Sequence, residues 1–212
     1  MTSGKSLPLV GQEIEPSLGS AAMSINGSDR SEINDFKGQS QTRRLADGRI
    51  EISVQGAPHR GRRNEPQVRS VLERAISSAR GQDVRVKEPS SDEDARGIDG
   101  TVLRPGSDRQ FIQIVSVPVD SDYARYVAHG SHQVVLTPDE AVDWIENAVR
   151  HKLDIAAADR RSIILVLDVR HAGLLAADDI VSAAKERFRP ADFGFAEIWL
   201  VANVATHSAR LA

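Results

Sequence analysis

The chain has no cysteine. Disulfides, thiolate nucleophiles and cysteine-ligated zinc are thereby excluded, and a cytoplasmic setting is the natural expectation. No apolar run approaches the roughly 18 residues that cross a bilayer. The stretch from Met1 to Val10 is too short in apolar residues for a secretion signal, so no membrane partner is expected. Charge of one sign is missing too. A formal net charge of −3 sets up no global field that would draw nucleic acid or a membrane, although a local basic strip would suffice. Aromatic side chains make up only 4% of the chain, and none is interleaved with its basic stretch, so base stacking is not indicated there. Glycine-rich phosphate loops, nucleophile elbows and His-Glu zinc helices are all absent.

What is present fits one well-cored domain with a tail, since 212 residues are too few for two ordinary domains. Residues 1–44 are rich in Ser, Gly, Asn, Asp and Gln without a sustained period. Such a segment buries too little apolar surface to offset its chain entropy, which predicts a disordered N-terminal arm. Residues 45–62 hold a short strand and a basic connector. After an Asp47-Gly48 turn signal, Ile50, Ile52 and Val54 alternate with Glu51 and Ser53 as a short, half-buried strand or hairpin arm, and His59-Arg60-Gly61-Arg62-Arg63 follows.

Residues 63–212 form the expected main domain. Pro66 suits a first helical turn, and Val68, Val71, Leu72, Ala75 and Ile76 recur at helical spacing until Gly81. Alternation predicts a strand at 83–88, and 89–97 reads as a charged loop. Strands at 98–104 and 110–117, joined through Pro105-Gly106-Ser107-Asp108, form an antiparallel hairpin. Thr137-Pro138-Asp139-Glu140 supplies a cap, a first-turn proline and a capping-box glutamate for a helix running to about 157. Residues 162–169 are apolar on both faces, as in a strand buried between layers. A helix at about 177–188 and a strand at 196–202 complete a β-α-β unit. The order is α-β-β-β-α-β-α-β, an α/β fold with a mixed central sheet flanked by helices and no internal repeat.

Chemistry concentrates at a few positions. Asp99 opens one hairpin strand and Gln113 lies inside the other, sharing a face with Val115. A hairpin loop of three or five residues places Asp99 on that face, and a loop of four places it on the other; the shared face is expected. Glu65 falls near the apolar stripe of its helix, where a carboxylate needs a partner or a metal. Hard oxygens of this kind suit magnesium, which accepts one or two carboxylates, a carbonyl and several waters. Ordinary roles compete for each residue: Asp99 before Gly100 as a turn residue, Gln113 as a satisfied polar group, Glu65 as an N-cap.

Two lysines are candidate cations. Lys152 lies beside Val149 and could snorkel inward, and Lys87 lies on the first strand; a solvated stem is the alternative for both. Glu73, four residues from Arg69, reads as a solvated helix pair. The stretch holding Arg43, Arg44, Arg49, Arg60, Arg62 and Arg63 is the one that could contact phosphate, with Arg60, Arg62 and Arg63 as the named candidates; a soluble, flexible linker is the competing and favoured reading. His129 and His132, near Tyr123 and Tyr126, have no zinc spacing and read as loop histidines. Asp168-Val169-Arg170-His171 ends the central strand, where either a site or an ordinary polar cluster can sit.

Over about residues 63–202, this order of elements resembles the PD-(D/E)XK nuclease superfamily. The letters that carry the likeness are Gly97-Ile98-Asp99-Gly100 and Gln113-Ile114-Val115. The resemblance implies a restriction-endonuclease-like fold and Mg²⁺-dependent hydrolysis of DNA phosphodiesters, with Mn²⁺ as a substitute. Asp99, Gln113 and Glu65 match the family's metal ligands. Val115 stands where the family has its lysine, with Lys152 as the candidate replacement. Two functions therefore follow as expectations: a metal-dependent nuclease, or an inactive relative that binds nucleic acid or assembles with a protein partner or with itself.

Overall fold

The computed structural model describes residues 39–55, 65–104, 106, 108–118, 131–170 and 172–212. Helix α1 (Glu65–Arg80) buries Val68, Val71, Leu72, Ala75 and Ile76 along one stripe. It stops at Gly81, whose φ of +62° is a left-handed conformation that glycine accepts without strain. Five further strands follow β3 (Arg85–Lys87): β4 (Gly100–Leu103), β5 (Gln110–Ser116), β7 (Ile163–Asp168), β8 (Glu197–Val201) and β9 (Ala209–Arg210). They form one mixed sheet in the order β3-β4-β5-β7-β8-β9, parallel at β5-β7 and β7-β8 and antiparallel elsewhere.

Strand β7 divides the core. Its Ile164 and Val166 face α1 with Val102, Ile112 and Trp199, whereas Leu165 and Leu167 face the opposite layer. That layer holds α3 (Pro138–Arg150) and α5 (Asp178–Phe188), which bury Val142, Ile145, Val149, Ile180 and Ala184. Helix α3 starts as its sequence dictates: Thr137 caps the Glu140 N–H at 3.2 Å and Glu140 returns a bond to the Thr137 N–H at 2.7 Å. It ends earlier than the expected 157. Arg160 Nη1 takes the carbonyls of Leu153 at 3.0 Å and Ile155 at 2.7 Å. Those carbonyls would serve residues four further on in a continuing helix, and a separate turn, α4 (Ala157–Arg160), follows instead.

Three further differences from the expected elements are local. Residues 91–95 form α2 (Ser91–Ala95) rather than loop, because Ser90 and Glu93 make a second capping box. Residues 39–44, assigned above to the arm, form β1 (Gln39–Arg44), and the expected loop before α3 contains β6 (Ser131–Leu136) with His132 in it. Both pair antiparallel with β2 (Ile50–Gln55) in a separate three-stranded sheet, order β1-β2-β6. Ile50, Ile52 and Leu136 of this sheet join the α3 and α5 core. The expected disorder of residues 1–38 concerns positions outside the described ones. Among the described residues, no helix is long and apolar enough to cross a membrane.

At the end of the sheet where β8 begins, Glu197 is only 2% exposed. Arg80 and Arg104 donate to its Oε1, the latter at 2.6 Å, and the Trp199 indole donates to Oε2 at 2.7 Å. Burial alone would raise its pKa; the Trp199 and Arg104 hydrogen bonds and the Arg104 and Arg80 charges outweigh burial and hold it below 4.5. A carboxyl with a depressed folded pKa stabilises above its unfolded value, and that contribution disappears as pH falls through the folded value. Urea midpoints measured from neutral pH down through 4.5 are therefore expected to fall less steeply for Glu197→Gln than for the unaltered chain. Equal slopes would remove Glu197 from the acid response.

Candidate functional site

Asp99 follows α2 and the Gly97 turn and precedes β4. The β4-β5 register pairs Gly100 with Ile112, which carries Asp99 opposite Gln113. Asp99 is bonded on both sides of that residue: its N–H donates to the Ile112 carbonyl at 2.8 Å, and its Oδ2 accepts the Ile114 N–H at 2.7 Å. The carboxylate thus takes over the ladder where the main chain leaves it, and a carboxylate oxygen on a strand N–H lies close to the plane of the sheet. The Asp99 carbonyl accepts from Arg69 Nη1 of α1 at 2.8 Å. Gly100 is a strand residue and is not among the glycines with positive φ, so the turn reading of Asp99-Gly100 does not hold.

Along β5, Ile112 and Ile114 pack on the α1 side, whereas Phe111 and Val115 pack with α3 and α5. Gln113 alternates with the first pair and belongs to the second face. It is 8% exposed, and its Oε1 is buried without a hydrogen-bond partner. A buried amide oxygen in this state is uncommon enough to require a reason. Val115, two residues on, is 6% exposed and part of the core.

Glu65 is the first residue of α1, one position inside the helix rather than its N-cap. Its Oε2 lies 3.5 Å from Arg69 Nη1. Arg69 therefore links Glu65 to Asp99, while the sheet lies between Glu65 and Gln113, which come from opposite layers. Among the described residues, no three His, Cys, Asp or Glu side chains are grouped to hold a metal. The donor set on offer is the Asp99 carboxylate and the orphaned Gln113 amide oxygen. These are hard oxygens of the kind magnesium takes.

The expected lysines stand elsewhere. Lys87 is exposed on β3, the edge strand of the sheet. Lys152 is half-buried in the turn after α3, in the segment that Arg160 ties to the start of β7. The buried cation at this place is Arg69, 7% exposed, and sequence reasoning assigned it to solvent with Glu73. Glu73 instead accepts the Val86 N–H at 2.6 Å and fastens the edge strand to α1. The spacing 65, 69, 72, 76 could have revealed Arg69, because it places the guanidinium and Glu65 on the stripe of Leu72 and Ile76.

Part of the basic stretch is engaged by carboxylates. Arg43 pairs with Glu51, Arg44 with Asp179 at 2.5 Å, and Arg49 with Asp47 at 2.7 Å. Arg60, Arg62 and Arg63 lie outside the described residues, as do Tyr123, Tyr126, His129 and His171. At the end of β7, Arg170 grips Asp168 through two 2.8 Å bonds and reaches Gln67 Oε1 of α1 at 2.8 Å. Both charged groups are buried, so this cluster ties β7 to the first turn of α1. Comparison with family models, with curated proteins and with solved structures matched none of them to this chain.

Proposed function

We propose that this chain is a nuclease-like domain that holds a divalent cation at Asp99 and Gln113 and acts on the phosphodiester backbone of DNA in the cytoplasm. The observation that carries this reading is the partnerless, buried Gln113 Oε1 directly across the ladder from Asp99. The order α1, an antiparallel β3-β4-β5 meander, α3, then parallel β7, α5 and β8 supports a restriction-endonuclease-like arrangement.

A bound cation would neutralise phosphate charge and lower the pKa of a water. The chain's own residues do the rest. Asp99 and Gln113 supply the oxygens, and Arg69, itself paired with Glu65, holds the Asp99 main chain. Val115 is apolar and buried, so it contributes no charge to a developing anion. Loss of one such stabilising group costs roughly 10²–10³ in rate, and cleavage is accordingly slow.

Calorimetric titration with Mg²⁺ and Mn²⁺, followed by plasmid nicking, tests this. Heat and slow metal-dependent nicking are expected from the unaltered chain and neither from Asp99→Ala. Identical behaviour of the two proteins would sink the reading. The buried Val115 favours one alternative, an inactive relative that serves as a binding or assembly module. Salt-dependent retention of duplex DNA without nicking is its signature.

A further inference from the structure

We infer that Arg69 is the positioning residue of the Asp99 site, and that Gly100 is glycine to let the Arg69 side chain through. Nη1 donates to the Asp99 carbonyl at 2.8 Å and lies 3.5 Å from Glu65 Oε2, and Nη2 donates to Glu88 Oε1 at 3.0 Å. Three acceptors from α1, the start of β4 and the end of β3 thus meet one planar fork, which a lysine ammonium cannot serve in the same directions. Glu88 is 78% exposed and its contact is screened by solvent, so the Asp99 and Glu65 contacts dominate.

The stem matters as much as the head. A Cβ on Gly100 would lie 3.0 Å from Arg69 Cδ and 3.0 Å from the Lys87 carbonyl oxygen. The second of these is backbone and cannot swing aside. Because Gly100 has no positive φ, this crowding, rather than a turn, is what favours glycine after Asp99.

Fixing the Asp99 carbonyl toward α1 orients its peptide, and the carboxylate then closes on the Ile114 N–H at 2.7 Å. The guanidinium is too buried to touch a phosphate, so Arg69 acts through Asp99 and not on substrate. Its consequence for a cation rests on the function proposed above. The clamp itself does not need one.

Amide hydrogen exchange by NMR on the full chain reads the clamp directly. In Arg69→Met, Ile114 is expected to exchange about tenfold faster relative to Leu165 and Val166 of β7, the cost of one hydrogen bond involving a charged group. Arg69→Lys should fall between, and Gly100→Ala should move Ile114 the same way. If Arg69→Met does not fold, those two variants carry the test. Should Ile114 and β7 accelerate by the same factor in every folded variant, Arg69 is merely structural and the inference is overturned. Broadening of the Gln113 side-chain amide by Mn²⁺ is the second readout, and Arg69→Lys is expected to need about tenfold more ion. Equal Mn²⁺ dependence in both proteins also counts against positioning. No broadening in the unaltered chain removes the metal reading alone, and Ile114 exchange still decides the clamp.

Discussion

Val115→Lys is expected to cost about 4–5 kcal/mol of stability at neutral pH and to create no nuclease, since burial lowers a lysine pKa by up to about 3–5 units and each unit costs about 1.36 kcal/mol until the group is neutral at the working pH. The substitution restores the residue that the family resemblance requires, so its outcome separates motif from structure. Val115 packs with α3 and α5 and pairs with Leu167 of the central strand. Val115 is only 6% exposed, and the cluster it joins is apolar among the described residues. Domains of this size hold about 5–15 kcal/mol in total, and the variant would sit at or near the edge of unfolding. Urea denaturation and plasmid nicking on the same sample decide it. Near-normal stability together with metal-dependent cutting would show that position 115 opens onto the site.

The second large effect is expected at the end of β7. Asp168→Ala should destabilise by about 3–5 kcal/mol, because it removes the carboxylate that makes two 2.8 Å bonds to the buried Arg170 guanidinium. Replacing both, as Asp168→Leu with Arg170→Met, should recover most of that loss, since burying two apolar groups carries no such desolvation. A double-mutant cycle by chemical denaturation measures the coupling. The opposite pattern, unchanged stability with a change in any metal-dependent nicking in Asp168→Ala, would make this strand end part of the proposed site. The two 2.8 Å bonds and the Gln67 contact argue for the structural role.

The candidate site was legible in part. Residue types and spacing pointed to Asp99 and Gln113, and the hairpin register decides whether they meet; the observed pairing of Gly100 with Ile112 does bring them opposite. Arg69 was not legible as a clamp. Residues four apart on a helix suggest a solvated pair, and only the packing of α1 against the sheet turned that side chain inward. Nor was the orphaned state of Gln113 Oε1 visible, because satisfaction of a polar atom depends on neighbours far away in the chain.

Local pattern by itself determined α1, the capped start of α3, the doubly buried β7 and the β7-α5-β8 unit, because helix periodicity, capping chemistry and continuous apolarity are properties of neighbouring residues. Tertiary structure alone decided the pairing of β6 with the local β1-β2 hairpin, because residues 131–136 and 50–55 lie far apart in the chain. It also decided the early end of α3, where Arg160 takes two carbonyls, and the layer each charged residue enters. The β2-β6 pairing and the burial of these charged groups are long-range contacts, and no short window of sequence contains both partners.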